Sequence, residues 1–280
     1  MLPSRQPATD LFYQPLNQDQ PVSERQWTTL AHTLRQEGIA TLIVQWSHYG
    51  PETFGGPQGW LAENLETLMQ AGLPLWFGLY SDPGYFKKIH SDAGSQQHYL
   101  YQYFAAVNAT YQQWQPWLNR HRHQIRGLYL PLELSDYDFP TAAQRAQLSQ
   151  ILARQVDRYP YPLMISLYLA GKLTDAEIAE WVSQLTAMGL RVYVQDGAGT
   201  QSLDSATRQR YLSQLPCNVG LVKEIFQQDK SSRQFQAARL EAAAYQQIRH
   251  QTSCHPRALF SMRYLPLPAQ PLQLVLTSEK

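Results

Sequence analysis

Charge is scarce in this sequence. Lys, Arg, Asp and Glu together make up 16% of its 280 residues, against ~25% in an average soluble domain. The balance is nearly even, 23 basic to 22 acidic for a net charge of +1, so bulk electrostatics gives no case for nucleic acid or an anionic membrane as partner. No apolar run approaches the ~18 residues of a membrane-spanning helix. The opening residues Met1-Leu2-Pro3-Ser4-Arg5 lack the apolar core of a signal peptide, so export would mean that the sequence starts after a cleavage point. No Gly-x-Ser-x-Gly elbow is present to support serine hydrolase chemistry. The histidines show no ligand spacing: His121 and His123 precede the fourth strand, and His48, His90 and His98 are scattered over loops and a helix. No metal site is expected from them, and no organic cofactor is implied. Cysteine is limited to Cys217 and Cys254.

Aromatic residues, by contrast, are plentiful: 7 Trp, 17 Tyr and 9 Phe, 12% of the chain. With many neutral amides and hydroxyls beside them, they suit a neutral hydroxylated ligand such as a sugar, although most must serve as packing residues.

One pattern recurs, a helix ending at Gly with an apolar strand starting at once. It occurs at Gly38 before IATLIVQW, at Gly72 before LPLWFGLY and at Gly189 before LRVYVQD. Glycine favours the left-handed position after a helix. The runs that follow are continuous rather than alternating, as in parallel strands buried on both faces. Capping boxes at Ser23-Glu24-Arg25-Gln26, Thr141-Ala142-Ala143-Gln144 and Thr174-Asp175-Ala176-Glu177 mark helix starts. Strands are expected near 10–14, 39–46, 73–80, 126–133, 162–168, 190–196, 218–226 and 258–264, and helices near 23–37, 57–71, 95–121, 141–158, 174–188, 204–214 and 233–252. Eight alternating units predict one α/β domain over 1–280, a (β/α)8 TIM barrel. Its eighth helix is short or missing because Pro266, Pro268 and Pro271 crowd the tail. A doubly wound open sheet is the alternative, but Phe12-Tyr13-Gln14-Pro15 after the first strand is no phosphate loop.

Chemistry in such a barrel sits at the C-terminal ends of the strands. There the sequence presents Gln14, then Gln45 and Trp46, Tyr80, Glu133 with Tyr137, Tyr168, Gln195 with Asp196, Glu224, and Arg263 with Tyr264. Glu133 and Glu224 end strands four and seven, each inside an apolar run where a carboxylate is costly without a partner or a task. Placed across the barrel mouth they can flank one bond, which is what glycoside hydrolysis requires. The structural alternative pairs one or both with Arg263 or Lys223. Gln14, Gln45, Trp46, Tyr80, Tyr137, Tyr168, Asp196, Arg263 and Tyr264 are the candidate substrate-binding residues. Asp196, followed by glycines that permit close backbone approach, could equally be a turn-forming residue. Cys217 and Cys254 fall on the N-terminal face before adjacent strands. A disulfide there is possible and would suit an oxidising compartment; a buried free pair is the alternative.

Catalytic Glu at the ends of strands four and seven resembles the large clan of retaining glycosidase barrels. That resemblance implies an acid/base at Glu133 and a nucleophile at Glu224. The segments FYQPL, LIVQWSHYG, GLYLPLELSDYDF, VYVQDGAGT and FSMRYLP resemble, over nearly the whole chain, a bacterial family of glycosidase-like barrels whose function is unknown. This likeness implies a periplasmic or exported protein linked to an envelope or extracellular polysaccharide. One departure stands out: the clan's Asn before the strand-four Glu is replaced by Leu132. A non-catalytic glycan-binding barrel and a scaffold in a polysaccharide system therefore stay open beside the hydrolase. Glycan identity, linkage, endo or exo action and oligomeric state are not legible.

Overall fold

The computed structural model describes residues 8–231 and 235–274. Eight parallel strands close into a barrel: β1 (Thr9–Tyr13), β2 (Ile39–Val44), β3 (Leu75–Gly78), β4 (Ile125–Ser135), β5 (Leu163–Tyr168), β6 (Arg191–Gln195), β7 (Gly220–Glu224) and β8 (Arg257–Phe260). Each pairs with its neighbours in sequence, and β8 pairs with β1 to seal the ring. The main helices between them are α1 (Glu24–Gln36), α2 (Trp60–Gln70), α3 (Ala93–Arg120), α4 (Ala142–Arg158), α5 (Asp175–Ala187), α6 (Ser205–Ser213) and α7 (Ala242–His250), with a short helix over Tyr85–Ile89 before α3. This is the (β/α)8 architecture that the alternation of elements predicts.

Local signals account for the boundaries. Ser23, Thr141 and Thr174 form their capping boxes. Gly38, Gly72 and Gly189 turn the chain at φ 78°, 93° and 90°, where a side chain is strained.

The apolar strands divide by parity into two layers. Phe12, Ile43, Trp76, Tyr129, Met164, Tyr193, Val222 and Ala258, one from each strand, fill the barrel interior. Their neighbours on either side, such as Leu11, Val44, Phe77, Leu128, Leu163, Val192 and Leu221, pack outward against the helices. Continuous hydrophobicity thus reflects two separate cores served by alternate residues.

Two expectations are corrected. The helix expected over 233–252 is shorter: Phe226–Gln228 pairs antiparallel with Ala237–Arg239, and α7 begins only at Ala242. The Phe226 ring meets Phe235 (5.8 Å) and Tyr264 (5.2 Å), so tertiary packing overrides local helix preference. The strand expected over 258–264 ends at Phe260, and Met262–Tyr264 is a 3-10 turn. That turn carries the fully buried Arg263 to Asp19 (2.8 Å). No α-helix follows β8 among the described residues. Instead the chain up to Leu274 is held by Arg263 to the Gln273 carbonyl, Arg239 to the Leu272 carbonyl and Gln18 to the Leu274 carbonyl. On the N-terminal face, Cys217 and Cys254 are joined, with Cα atoms 5.3 Å apart, tying the approaches to β7 and β8.

Candidate active site

Parity decides what enters the barrel mouth. Two residues beyond the interior layer, the inward positions are Gln14, Gln45, Gly78, Ser166, Gln195, Glu224 and Phe260. The eighth, Glu133, arrives by an irregular route. Tyr129 pairs with Met164 and Glu133 with Ser166, so three residues of β4 (Leu130, Pro131 and Leu132) stand opposite only Ile165. Two extra residues bulge from the ladder, and Pro131, having no N–H, sits where no ladder bond is needed. Because the excess is even, alternation survives: Leu128, Leu130, Leu132 and Leu134 all pack outward, and Glu133 turns inward. Below it, the Tyr129 hydroxyl meets Ser166 Oγ at 2.9 Å.

Glu133 and Glu224 line one cavity of about 220 Å³ together with Gln195, Asp196, Tyr168, Phe86, Leu169, Gly197, Thr200, Ser202, Leu203 and Arg208. Neither glutamate has an ion-pair partner among the described residues. The structural alternative placed them with Arg263 or Lys223, but Arg263 is taken by Asp19 and Lys223 by Asp196 (3.1 Å). Their environments nevertheless differ. The Glu133 carboxylate accepts a single bond among the described residues, from Gln195 Nε2 (3.3 Å). Burial raises its pKa and the Gln195 amide pulls it partly back. Glu224, 4% exposed, is also raised by burial, with the nearby Asp196 charge adding to the effect. Against this, three donors converge on its Oε2: Gly199 N (2.8 Å), Thr200 N (2.8 Å) and Thr200 Oγ1 (3.2 Å). Donors of this kind favour the ionised form. Glu224 Oε1 has no donor among the described residues.

The turn after β6 builds this cradle. Asp196 Oδ1 accepts from Ala198 N (3.2 Å) and Glu224 N (3.1 Å), while its Oδ2 faces Lys223. Gly199 lies so close to Phe226 that a Cβ would stand 2.4 Å from the Phe226 carbonyl oxygen. The glycines that suggest close approach to a ligand in fact bring backbone N–H groups onto the Glu224 carboxylate. Asp196 both lines the cavity and forms the turn.

Of the candidate residues, the structure therefore gathers Glu133, Glu224, Tyr168 and Asp196. The others lie outside the cavity lining. Gln14 offers its carbonyl to Arg263, Gln45 is buried, and Trp46 donates to the Pro15 carbonyl and packs at a tilt against Tyr49. Tyr80 packs against His48 and Tyr103, and Tyr137 stacks on His90 at 3.9 Å. Arg263, expected at the site and as a partner for Glu224, is instead a buried structural residue because Asp19 and two carbonyls hold its Nη1 and Nη2 groups. Tyr264 is buried on Phe226. Sequence reasoning missed Phe86, Leu169, Thr200, Ser202, Leu203 and Arg208. All come from loops or helix starts beyond β3, β5 and β6, where strand periodicity carries no signal.

The fold and several sequence features have known counterparts. The chain is similar in structure to a candidate alpha-L-fucosidase from Bacteroides thetaiotaomicron (TM-score 0.52, 15% identity, 92% of this chain and 86% of that one). It is also similar to the catalytic domain of a beta-amylase from Paenibacillus polymyxa (TM-score 0.53, 10% identity, 95% and 94%). At such identities the likeness speaks for the barrel alone. In sequence it is 30% identical over 270 residues to the uncharacterized protein YbcH of Escherichia coli strain K12, covering 92% of this chain and 90% of that protein. Residues 9–260 match the model of the family described as Domain of unknown function (DUF4434), and the chain is a member of that family.

Proposed function

We propose that the protein is a retaining glycoside hydrolase acting on an oligo- or polysaccharide of the bacterial envelope, with Glu224 as nucleophile and Glu133 as acid/base. The observation that carries this reading is the pair of carboxylates in one cavity, both without an ion-pair partner among the described residues and differing in their donors. A carboxylate held by three donors suits the ionised nucleophile. A half-buried carboxyl with one donor suits the acid that keeps its proton. In the first step Glu224 Oε1 attacks the anomeric carbon, the glycosidic C–O bond breaks, and Glu133 gives its proton to the leaving oxygen. In the second, Glu133 takes a proton from water, the water oxygen attacks the anomeric carbon, and Glu224 leaves as carboxylate. Leu132 packs outward, so no amide precedes the acid/base, and Gln195 is the amide that the cavity offers instead. The Cys217–Cys254 bridge supports placing the protein in an oxidising compartment such as the periplasm.

The test is product release from a panel of bacterial glycans. Glu133→Gln and Glu224→Gln are each expected to lower kcat by about 10²–10⁴-fold, and proton NMR should show the first-formed product with the anomeric configuration of the substrate. Turnover indifferent to both substitutions overturns the assignment. The Leu132 departure motivates a second reading, a non-catalytic glycan-binding barrel, which binding without product over long incubation would favour.

A further inference from the structure

Within the cavity that we read as a hydrolase site, one cation is left without an acid. Arg208 stands in the first turn of α6. Its Cδ passes over Gly197, where φ is 64° and a Cβ would come within 3.2 Å of it, and its Nη1 donates to the Leu203 carbonyl (2.6 Å). Gly197 and Leu203 both line the cavity, as Arg208 does, so the guanidinium lies in its wall. No acidic side chain pairs with it among the described residues, and its Nε and Nη2 have no acceptor there. Three other cations of the mouth region have acidic partners: Lys223 has Asp196, Lys88 has Asp82 and Arg263 has Asp19. The planar fork of this half-buried guanidinium matches a bidentate anion. Leaving it unpaired beside a partly enclosed space has an energetic cost that an incoming anion removes.

Size narrows the ligand. A cavity of about 220 Å³ falls below the ~300 Å³ at which most small-molecule sites begin, which fits one sugar ring rather than several. The acids in the wall do not substitute for the missing partner: Asp196 is neutralised by Lys223, and the two glutamates are committed to the reaction. We infer that the ring bound here carries an anionic substituent, a carboxylate or a sulfate ester, received by Arg208. The substrate would then be an acidic glycan recognised one residue at a time. This rests on the hydrolase reading for the reaction, but its test is one of binding.

Calorimetric titration of the wild-type protein at pH 7 would compare methyl β-D-glucuronide, methyl β-D-galacturonide and a methyl 6-O-sulfoglucoside with the neutral methyl glucoside and galactoside, and with inorganic sulfate. At least one acidic glycoside is expected to bind about tenfold or more tightly than its neutral counterpart, as a charge-assisted pair provides. Arg208→Gln should bring the two within about twofold of each other, and Arg208→Lys should retain part of the preference. Whether the carboxylate or the sulfate ester ranks first identifies the substituent. Equal binding of acidic and neutral rings by the wild type, or a preference that survives Arg208→Gln, overturns the inference. So does inorganic sulfate binding as tightly as the best acidic glycoside. Failure of the hydrolase reading appears separately, as turnover indifferent to Glu133→Gln and Glu224→Gln.

Discussion

Glu133 emerges from the apolar run LPLEL, and its carboxylate meets one donor among the described residues, the Gln195 amide. Burial lifts its pKa, and the amide, by favouring the carboxylate, lowers it again. An acid catalyst works only while protonated, so the basic limb of the pH profile of kcat/KM should follow this group. Gln195→Leu removes the restoring donor. The limb should then move to higher pH, by about half a unit to one unit if the bond contributes ~0.5–1.5 kcal/mol. A limb that stays put or moves down in pH–rate profiles on any glycan turned over would sink the assignment of the acid. Both glutamates were legible in the sequence, because a carboxylate inside LPLEL or GLVKEIF is conspicuous. Their neighbours were not. The donors to Glu224 are mainly backbone N–H groups of Gly199 and Thr200, which any residue carries. Nothing local foretold that Arg263 would choose Asp19, 244 positions away, over a glutamate at the mouth.

The strand–helix alternation was readable because three apolar runs follow Gly-terminated helices, at Gly38, Gly72 and Gly189, and capping chemistry marked the starts of α1, α4 and α5 where they occur. The two misread segments both lie after β7, where aromatic side chains from distant positions set the path: Phe226 against Phe235 and Tyr264. The turn after β8 is a structural clamp. Arg263 reaches Asp19 through two nitrogens, and Asp19 also accepts from the Tyr13 hydroxyl and Leu16 N. Arg263→Met strands a buried carboxylate and should cost about 3–5 kcal/mol in urea unfolding. Adding Asp19→Asn should recover part of that loss, since the stranded charge is then gone. A change within the error of the single variant would show the pair to be dispensable.

For the molecule as a whole, closure of the ring depends on β8 meeting β1, and the bridge between Cys217 and Cys254 restrains the last two strands from the opposite end to the site. The loop it closes spans 37 positions, for which chain-entropy arguments give about 4 kcal/mol. Replacing both cysteines by serine should lower the thermal midpoint, and a reducing agent should do the same to the parent protein but not to the variant. Identical melts with and without reductant would mean that the thiols are unbridged in solution. The sequence allowed this pairing but left it undecided, since only the register of adjacent strands brings the two Cα atoms to 5.3 Å.

The bulge in β4 has a consequence for descent. Between Tyr129 and Glu133 the strand carries two residues more than its partner, and side chains alternate faces. Loss or gain of a single codon there would swing Glu133 out among the helices and turn a leucine into the mouth, whereas a change of two would leave every residue facing as before. Length variation at this point among relatives that keep the acid should therefore come in pairs.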